Sequence, residues 1–543
     1  MSSDSIELEE IRMKRMLANG YFPGELPPPF QTRTYADFLT GSAPPAPFTL
    51  DKKKEPNYTS RPVTYNLARA GTLRRQLGIP NPINFFLLAT VTESMWPYLS
   101  TKWYPKPEQA LSRPKKTMYG QTNRAYEWSG SFSALPEHRA RVRTGMRYGL
   151  RTDIKGFYPS IYTHSIPWAL HGKEKSQQNI GWDKLLGNKI DRLVQIGQLK
   201  QTKGISIGPD TSFLVAELLL TKLDRLLVGE VGSRYFRYID DFEFAFLTFS
   251  EAEKGLSRFQ EILGRFELVA NEAKTSIFEL PAPLDNRWPR EIRDMTLGQS
   301  EKTATQKASL VDLFNRSIEL KQENPDKGVV LYAVRKTAGV IVAQQNWLLY
   351  QRLVFQWAQT EPSVLPVVLD ILSTYKGASY SIDVDGLSEM LFVMVQLHAP
   401  RGHTSEIAWA LWGHLLFNVA LDASASTTVR RIDNSIIALL ALDARSKKLI
   451  APKAAIGAWK EHMTPESLLG EQWLLAYEGR VKKWVPPVGS KEYVKTAPGF
   501  GALAQGGVSF YDATCALTYR PQSMALLRMR LKLIADAAEE YPD

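Results

Sequence analysis

The stretch RYFRYIDDFEFAFLTF, residues 234–249, sets aromatic and β-branched residues on both sides of a central acidic pair, Asp240 and Asp241. Such residues fit a pleated, half-buried surface, and the carboxylates interrupt them as a turn would. The stretch therefore reads as a β-hairpin with Ile239, Asp240 and Asp241 near its turn. Two like charges held side by side between apolar runs cost energy unless cations compensate them. Magnesium, which takes hard oxygen ligands, is the natural compensation. For so short a motif, a solvated surface turn is the ordinary alternative.

Three segments around the hairpin bear on that choice. Asp153 opens RTDIKGFYPSIY, residues 151–162, after a basic strand-like run, and 87 positions separate it from Asp240. That interval accommodates a helix-containing connection between neighbouring strands. Carboxylates from two strands can then bridge a pair of ions about 4 Å apart, as phosphoryl transfer requires. Phe157 and Tyr158 follow Asp153 closely, so an aromatic ring can lie beside a nucleotide held there and crowd a ribose 2′-hydroxyl. In GISIGPDTSFLVAELLL, residues 204–220, a Gly-Pro loop precedes an amphipathic helix. Gly208 lets the backbone approach a template or nucleotide, and Ser212 offers a hydroxyl. In LVANEAKTSIFELP, residues 268–281, Lys274 sits in a short turn where it can approach phosphates. Each segment also has a plainer reading, as a core aromatic, a loop-helix junction or a solvated lysine.

Further out, residues 61–281 mix helical and strand periods, the pattern of an α+β or α/β unit. The Pro-rich run YFPGELPPPF, residues 21–30, cannot lie inside a helix or central strand, and reads as an extended segment laid across a domain surface by its aromatics. From Thr303 onward strand signals fade and helical stretches recur, including a long run from Val329 to Ala358, LPVVLDILSTY and SEIAWALWGHLLFNVAL, in the manner of an irregular α-solenoid. Residues 485–505 read as a loop before a final helix, 523–539.

In order, DIKGFYPSIY, GISIGPDTS, YIDD and NEAKT resemble motifs A, B, C and D of the reverse transcriptase palm, and RRQLGIPNP, residues 74–82, resembles the finger segment that precedes them. The resemblance covers about residues 60–285. It implies an α+β polymerase right hand with palm and fingers, RNA-directed DNA polymerase activity, and two Mg²⁺ ions, with Mn²⁺ as a substitute. It makes Asp153 and Asp240 metal ligands, Asp241 their acidic neighbour, and Ile154 the donor of a backbone carbonyl. Tyr158 becomes the gate against ribonucleotides and Lys274 the motif D lysine. Triphosphate contacts are expected from residues 101–151, which hold eleven Lys and Arg against three Glu, with Lys115 and Arg124 as representatives. One departure is Ile207, where many relatives carry Gln before the motif B glycine.

A palm joined to a long helical half resembles the defence-associated, abortive-infection group of bacterial reverse transcriptases, with a HEAT-like repeat domain. YFPGELPPPF and SEIAWALWGHL, residues 405–415, agree with it. The division implied is an N-terminal extension (1–60), fingers and palm (61–295) and a helical domain (296–543). The group implies anti-phage DNA synthesis, in some relatives untemplated and protein-primed. Its implied partners are dNTPs, RNA or DNA, an associated noncoding RNA and further copies of the chain. A catalytically silent nucleic-acid scaffold and a retron- or intron-type enzyme are the rival readings.

Composition agrees. The chain of 543 residues has a net charge of +11 and ordinary globular usage, which favours a polyanionic partner. A single cysteine, Cys515, excludes an intrachain disulfide or a Cys-rich zinc module and suits a reducing, bacterial cytoplasmic setting. The charged N-terminus lacks a secretory core, and no apolar window is long enough to span a bilayer, so no membrane partner is expected.

Overall fold

The computed structural model describes residues 3–51, 53–100, 109–117, 124–450, 457–489 and 492–540. At its centre is an antiparallel sheet of four strands in the order β6-β7-β5-β8, formed by Tyr148–Asp153 (β5), Tyr235–Tyr238 (β6), Asp241–Phe246 (β7) and Ser276–Glu279 (β8). The expected hairpin is β6–β7, and its register sets Tyr238 opposite Asp241. Strand β5 lies on the other side of β7 and sets Asp153 opposite Asp241. Alternation along β7 then decides the two faces. Phe242, Phe244 and Phe246 stack along one face, against Phe259 of the helix Phe249–Gly264. Glu243 points to the opposite face, where Arg139, Arg143 and Arg151 surround it.

The helix Asp210–Glu230 is expected to be amphipathic. Instead almost every residue of its first four turns is buried, its acidic residues included. It can be buried on all sides because Arg237 of β6, with no exposed surface, pairs with both Glu217 (2.9 Å) and Asp224 (2.8 Å). Ser112 completes the network as an acceptor from Arg237 and a donor to Glu217.

A hairpin of Val63–Ala68 (β1) and Arg74–Ile79 (β2) stands apart from the central sheet, as does the short pair Pro114–Lys116 (β3) and Tyr126–Trp128 (β4). The outer edge of β1 is not left to solvent. Asn66 N–H donates to Thr404 Oγ1 (2.6 Å) and Ala68 N–H to Ser405 Oγ (2.8 Å), both in the helix Thr404–Phe417. Arg74 also bridges to Glu406 of that helix with both terminal nitrogens. Unpaired strand edges are costly to bury, and here side-chain hydroxyls of the helical half satisfy one.

From Thr303 onward the regular structure of the described residues is helical, and most of the longer helices pack on an adjacent helix or on the next but one. The long run predicted from Val329 is broken: Val329–Thr337 and Gln344–Thr360 are separate helices, and the linker amide of Val342 is capped by Tyr375 Oη. The expected loop 485–505 ends in a short helix, Phe500–Gln505, and the last helix is Ala525–Glu540.

The Pro-rich segment differs from expectation. Rather than crossing a surface it is built into the core: Tyr21 has no exposure, stacks on Phe85 at 4.1 Å and donates its hydroxyl to Pro80 O. Phe30 meets Tyr511 edge-on at 5.1 Å, and backbone bonds join Gln31 to Phe510 and Pro29 to Asp512. Its aromatic area is too large to leave in water, so the segment, turned twice by Leu26 N–H to Pro23 O and Phe30 N–H to Pro27 O bonds rather than extended, packs between Phe85 and the residues around Phe510. No helix among the described residues is long and apolar enough to cross a membrane.

Candidate active site

The three carboxylates meet at one end of the central sheet. Asp153 ends β5, Asp241 begins β7, and Asp240 occupies the turn between β6 and β7. The turn is tight because Ile239 adopts a left-handed conformation (φ 55°), which strains a β-branched residue. Ser112 Oγ accepts its amide at 2.9 Å, so the buried arginine network beneath also holds the turn. The carbonyl of Asp240 accepts from Ile154 N–H at 3.1 Å, and that of Asp153 accepts from Asn271 N–H at 2.8 Å.

Electrostatically the cluster is under-compensated. Burial, then the charges of Asp241 and Asp153, push Asp240 up to about 6. Asp241, at the rim, is also raised, by crowding protein and by Asp153, with Lys274 opposing. Lys274 bonds Asp153 Oδ2 and is held above its ordinary value by the three carboxylates, against the effect of its own partial burial. Asp153 Oδ1 is buried and has no hydrogen-bond partner. A buried carboxylate oxygen without a donor, beside two further carboxylates, fits a divalent cation. Asp153, Asp240 and the backbone of Ile154 would hold it, with Asp241 adjacent.

A cavity of about 570 Å³ opens over this cluster. Asp153, Ile154, Phe157, Tyr158, Gly208, Asp240, Lys274 and Arg124 all line it, so most of the residues singled out from sequence are brought together. Tyr158 is partly buried, edge-on to Phe157 at 5.6 Å.

Two expected residues are elsewhere. Ser212 is buried and lines a separate small cavity of about 30 Å³ on the far side of its helix turn. Lys115 points outward from β3 and does not reach the catalytic cavity. Arg124 does reach it, but bonds Asp210, whose other oxygen accepts from the amides of Ala125 and Tyr126. Part of the basic excess of residues 101–151 is structural, since Arg139, Arg143 and Arg151 neutralise Glu243 and hold it below the ordinary carboxylate range despite its burial. Lys102 and Lys106 lie outside the described residues.

The cations at the cavity wall come instead from the β1–β2 hairpin: Arg69 in its turn, with Arg74 and Arg75 on β2. Arg74 is engaged by Glu406, whereas Arg69 and Arg75 are exposed. The signal was the RRQLGIP run, whose paired arginines project to opposite sides of a strand. Gly208 also has an unexpected neighbour. It adopts φ +129°, and a Cβ there would come within 2.5 Å of the Pro23 ring, so the close approach that glycine permits is to the chain's own N-terminal segment.

Residues 104–307 match the sequence model of the family described as reverse transcriptase (RNA-dependent DNA polymerase). The match includes all three carboxylates, Tyr158, Gly208 and Lys274, while the β1–β2 hairpin and most of the helical half lie outside it. No curated protein matches the chain. Among solved structures, apo telomerase from Candida tropicalis is similar over 75% of this chain and 68% of its own, at 10% identity and a TM-score of 0.29. The matched domain is that of an RNA-directed DNA polymerase, a nucleotidyltransferase that binds dNTPs and nucleic acid and uses divalent ions such as Mg²⁺.

Proposed function

We propose that the chain polymerises DNA by two-metal nucleotidyl transfer at Asp153, Asp240 and Asp241, and that it does so in anti-phage defence. The observation that supports the chemistry best is the orphaned Oδ1 of Asp153 beside two carboxylates with raised pKa values, at the floor of a cavity whose wall is arginine-rich. Bound there, divalent ions supply the activation of an attacking hydroxyl and the stabilisation of charge on the α-phosphate and departing pyrophosphate. The protein's own groups do the positioning. Tyr158 places an aromatic edge under the sugar, where a 2′-hydroxyl would collide. Arg69, Arg75 and Lys274 offer donors to the triphosphate, Arg with the planar fork that suits phosphate oxygens. The β1–β2 hairpin is anchored to the helix Thr404–Phe417, so its arginines are held in place before substrate arrives, which lowers the ordering cost of binding.

The defence role rests on the joining of this palm to a long helical half, which resembles the abortive-infection group. Further copies of the chain and an associated noncoding RNA belong to the same proposal. The test is dNTP incorporation with Mg²⁺ by the wild type, Asp153→Asn and Asp240→Asn, over a panel of RNA and DNA primers and templates. Loss of incorporation in both variants is expected. A wild type inert under every condition, or variants equal to it, would replace polymerisation by a nucleic-acid scaffold. Plaque counts on cells carrying wild type or Asp240→Asn test the defence role, with protection expected only from the wild type.

A further inference from the structure

We propose that a second cavity, adjoining the catalytic one, holds a short single-stranded run of the DNA that the polymerase makes; the proposal rests on the polymerase reading above. This cavity has a volume of about 780 Å³. Five segments far apart in sequence enclose it: the Pro-rich strap around residues 22–33, the start of the β1–β2 turn, the helices between residues 328 and 370, the helix Thr404–Phe417 through Ser405 and Trp409, and the stretch 515–523. Glu25 and Arg69 line both cavities, so the two adjoin. Arg69 is near enough to Asp240 and Asp241 to feel their charge. A strand leaving the catalytic carboxylates past Arg69 therefore enters this space.

Charge and shape favour a phosphodiester strand. Arg33, Arg69, Arg335 and Arg520 line the cavity, all four are exposed, and none forms an ion pair among the described residues. The carboxylates of the lining are largely committed. Glu361 is 2% exposed and pairs with Lys321 at 2.8 Å. Asp370 accepts from Tyr519 Oη at 2.7 Å and Ser523 Oγ at 2.8 Å. The third carboxylate of the lining, Glu25, forms no ion pair among the described residues. Guanidinium groups in a concave, partly dry site bind phosphate oxygens with paired hydrogen bonds. The walls include Pro23, Pro28, Pro362, Pro366 and Pro521, whose fixed backbone needs little ordering on binding. The volume is that of a ligand site and admits a few nucleotides, not a duplex.

The test uses the full-length chain and a fluorescein-labelled single-stranded oligodeoxynucleotide, with anisotropy titrations over a range of salt. Each phosphate contact to a single strand contributes about 0.7 to the slope of log affinity against log salt, so Arg33→Gln/Arg335→Gln/Arg520→Gln should lower that slope by about 2. The control variant Arg258→Gln/Arg265→Gln/Arg287→Gln, altered at exposed arginines elsewhere, should keep it, and matching circular dichroism melts establish that both fold. An unchanged slope in the first variant, an equal loss in the control, or displacement of the oligonucleotide by polyglutamate at lower concentration than by unlabelled DNA would overturn the proposal. Incorporation by wild type with an unmoved slope in the first variant removes the cavity and leaves the polymerase. A lowered slope with no incorporation by the wild type removes the polymerase and the identity of the strand as its product.

Discussion

Replacing Arg237 by methionine tests how the catalytic turn is held. The guanidinium has no exposed surface, and its removal takes from Glu217 and Asp224, each 1% exposed, the cation they share. Ser112 loses one donor as well, although it still accepts from the amide of Ile239. Breaking a buried ion pair by removing one partner costs about 3–5 kcal/mol, because the remaining charge must stay uncompensated or take up a proton. Since β6 carries both Arg237 and the approach to Asp240, the cost falls on the β6–β7 hairpin. Expressed as an opening equilibrium, it accelerates amide hydrogen exchange in residues 235–246 by roughly 10² to a few times 10³, at about 1.4 kcal/mol per decade. Exchange followed by mass spectrometry reads this directly and does not require the whole chain to unfold in one step. Combining Arg237→Met with Glu217→Gln and Asp224→Asn should recover most of the protection, because replacing every charge of a buried network leaves none unpaired. Acceleration of less than tenfold in the single variant would refute the reasoning. A triple variant as labile as the single one would place the effect in packing rather than charge.

The remaining predictions are briefer. Tyr158→Ala should raise incorporation of ribonucleotides relative to deoxyribonucleotides, and an unchanged ratio in competition assays removes it as the sugar gate. Arg75→Ala should lower kcat/KM for dNTPs roughly 10- to 100-fold, mainly through KM, since hydrogen bonds to charged groups are worth about 1.5–3 kcal/mol; a KM equal to wild type would place the triphosphate elsewhere. His414 is buried, donates Nδ1–H to Val419 O at 3.0 Å, and burial lowers it from 6.5 to about 4. Because the unfolded chain takes the proton near 6.5 and the folded chain only near 4, its contribution is level above pH 6.5. Stability is lost as pH falls through that window, by about 3 kcal/mol in all. Thermal midpoints of His414→Gln should fall less steeply between pH 6.5 and 4, and an acid sensitivity identical to wild type would show that other groups govern it.

Local pattern and tertiary structure divided the site between them in a physically intelligible way. The hairpin around Asp240–Asp241, the strand ending at Asp153, the turn lysine Lys274 and the aromatic Tyr158 were legible because each depends on short-range chemistry: alternation, turn composition and the cost of adjacent carboxylates. Asp153, Tyr158, Asp240 and Lys274 line one cavity, and Asp241 sits opposite Asp153 in the adjoining strand. Net charge was a poorer guide to position. Arg151, the arginine nearest Asp153, serves Glu243 instead: strand alternation puts Arg151 and Asp153 on one face, away from the stacked phenylalanines, with Arg151 opposite Glu243 and Asp153 opposite Asp241. Lys115 and Ser212 lie away from that cavity for the same kind of reason, since residue type near a motif says nothing about which way a strand or helix turns it.

Local sequence was therefore enough for the strand-and-helix character of the palm and for the acidic hairpin and strand end that bring the carboxylates together, because both depend on periodicity and on residues whose charges must be compensated. Only the tertiary structure decided that the Pro-rich strap belongs to the core and presses Pro23 on Gly208. The same holds for the clamping of the β1–β2 hairpin by Thr404, Ser405 and Glu406, and for its arginines as the cations of the pocket. These contacts join residues more than 180 or 330 positions apart. Burial of aromatic area and satisfaction of a strand edge drive them, and those demands can be met by many partners until the whole chain has packed.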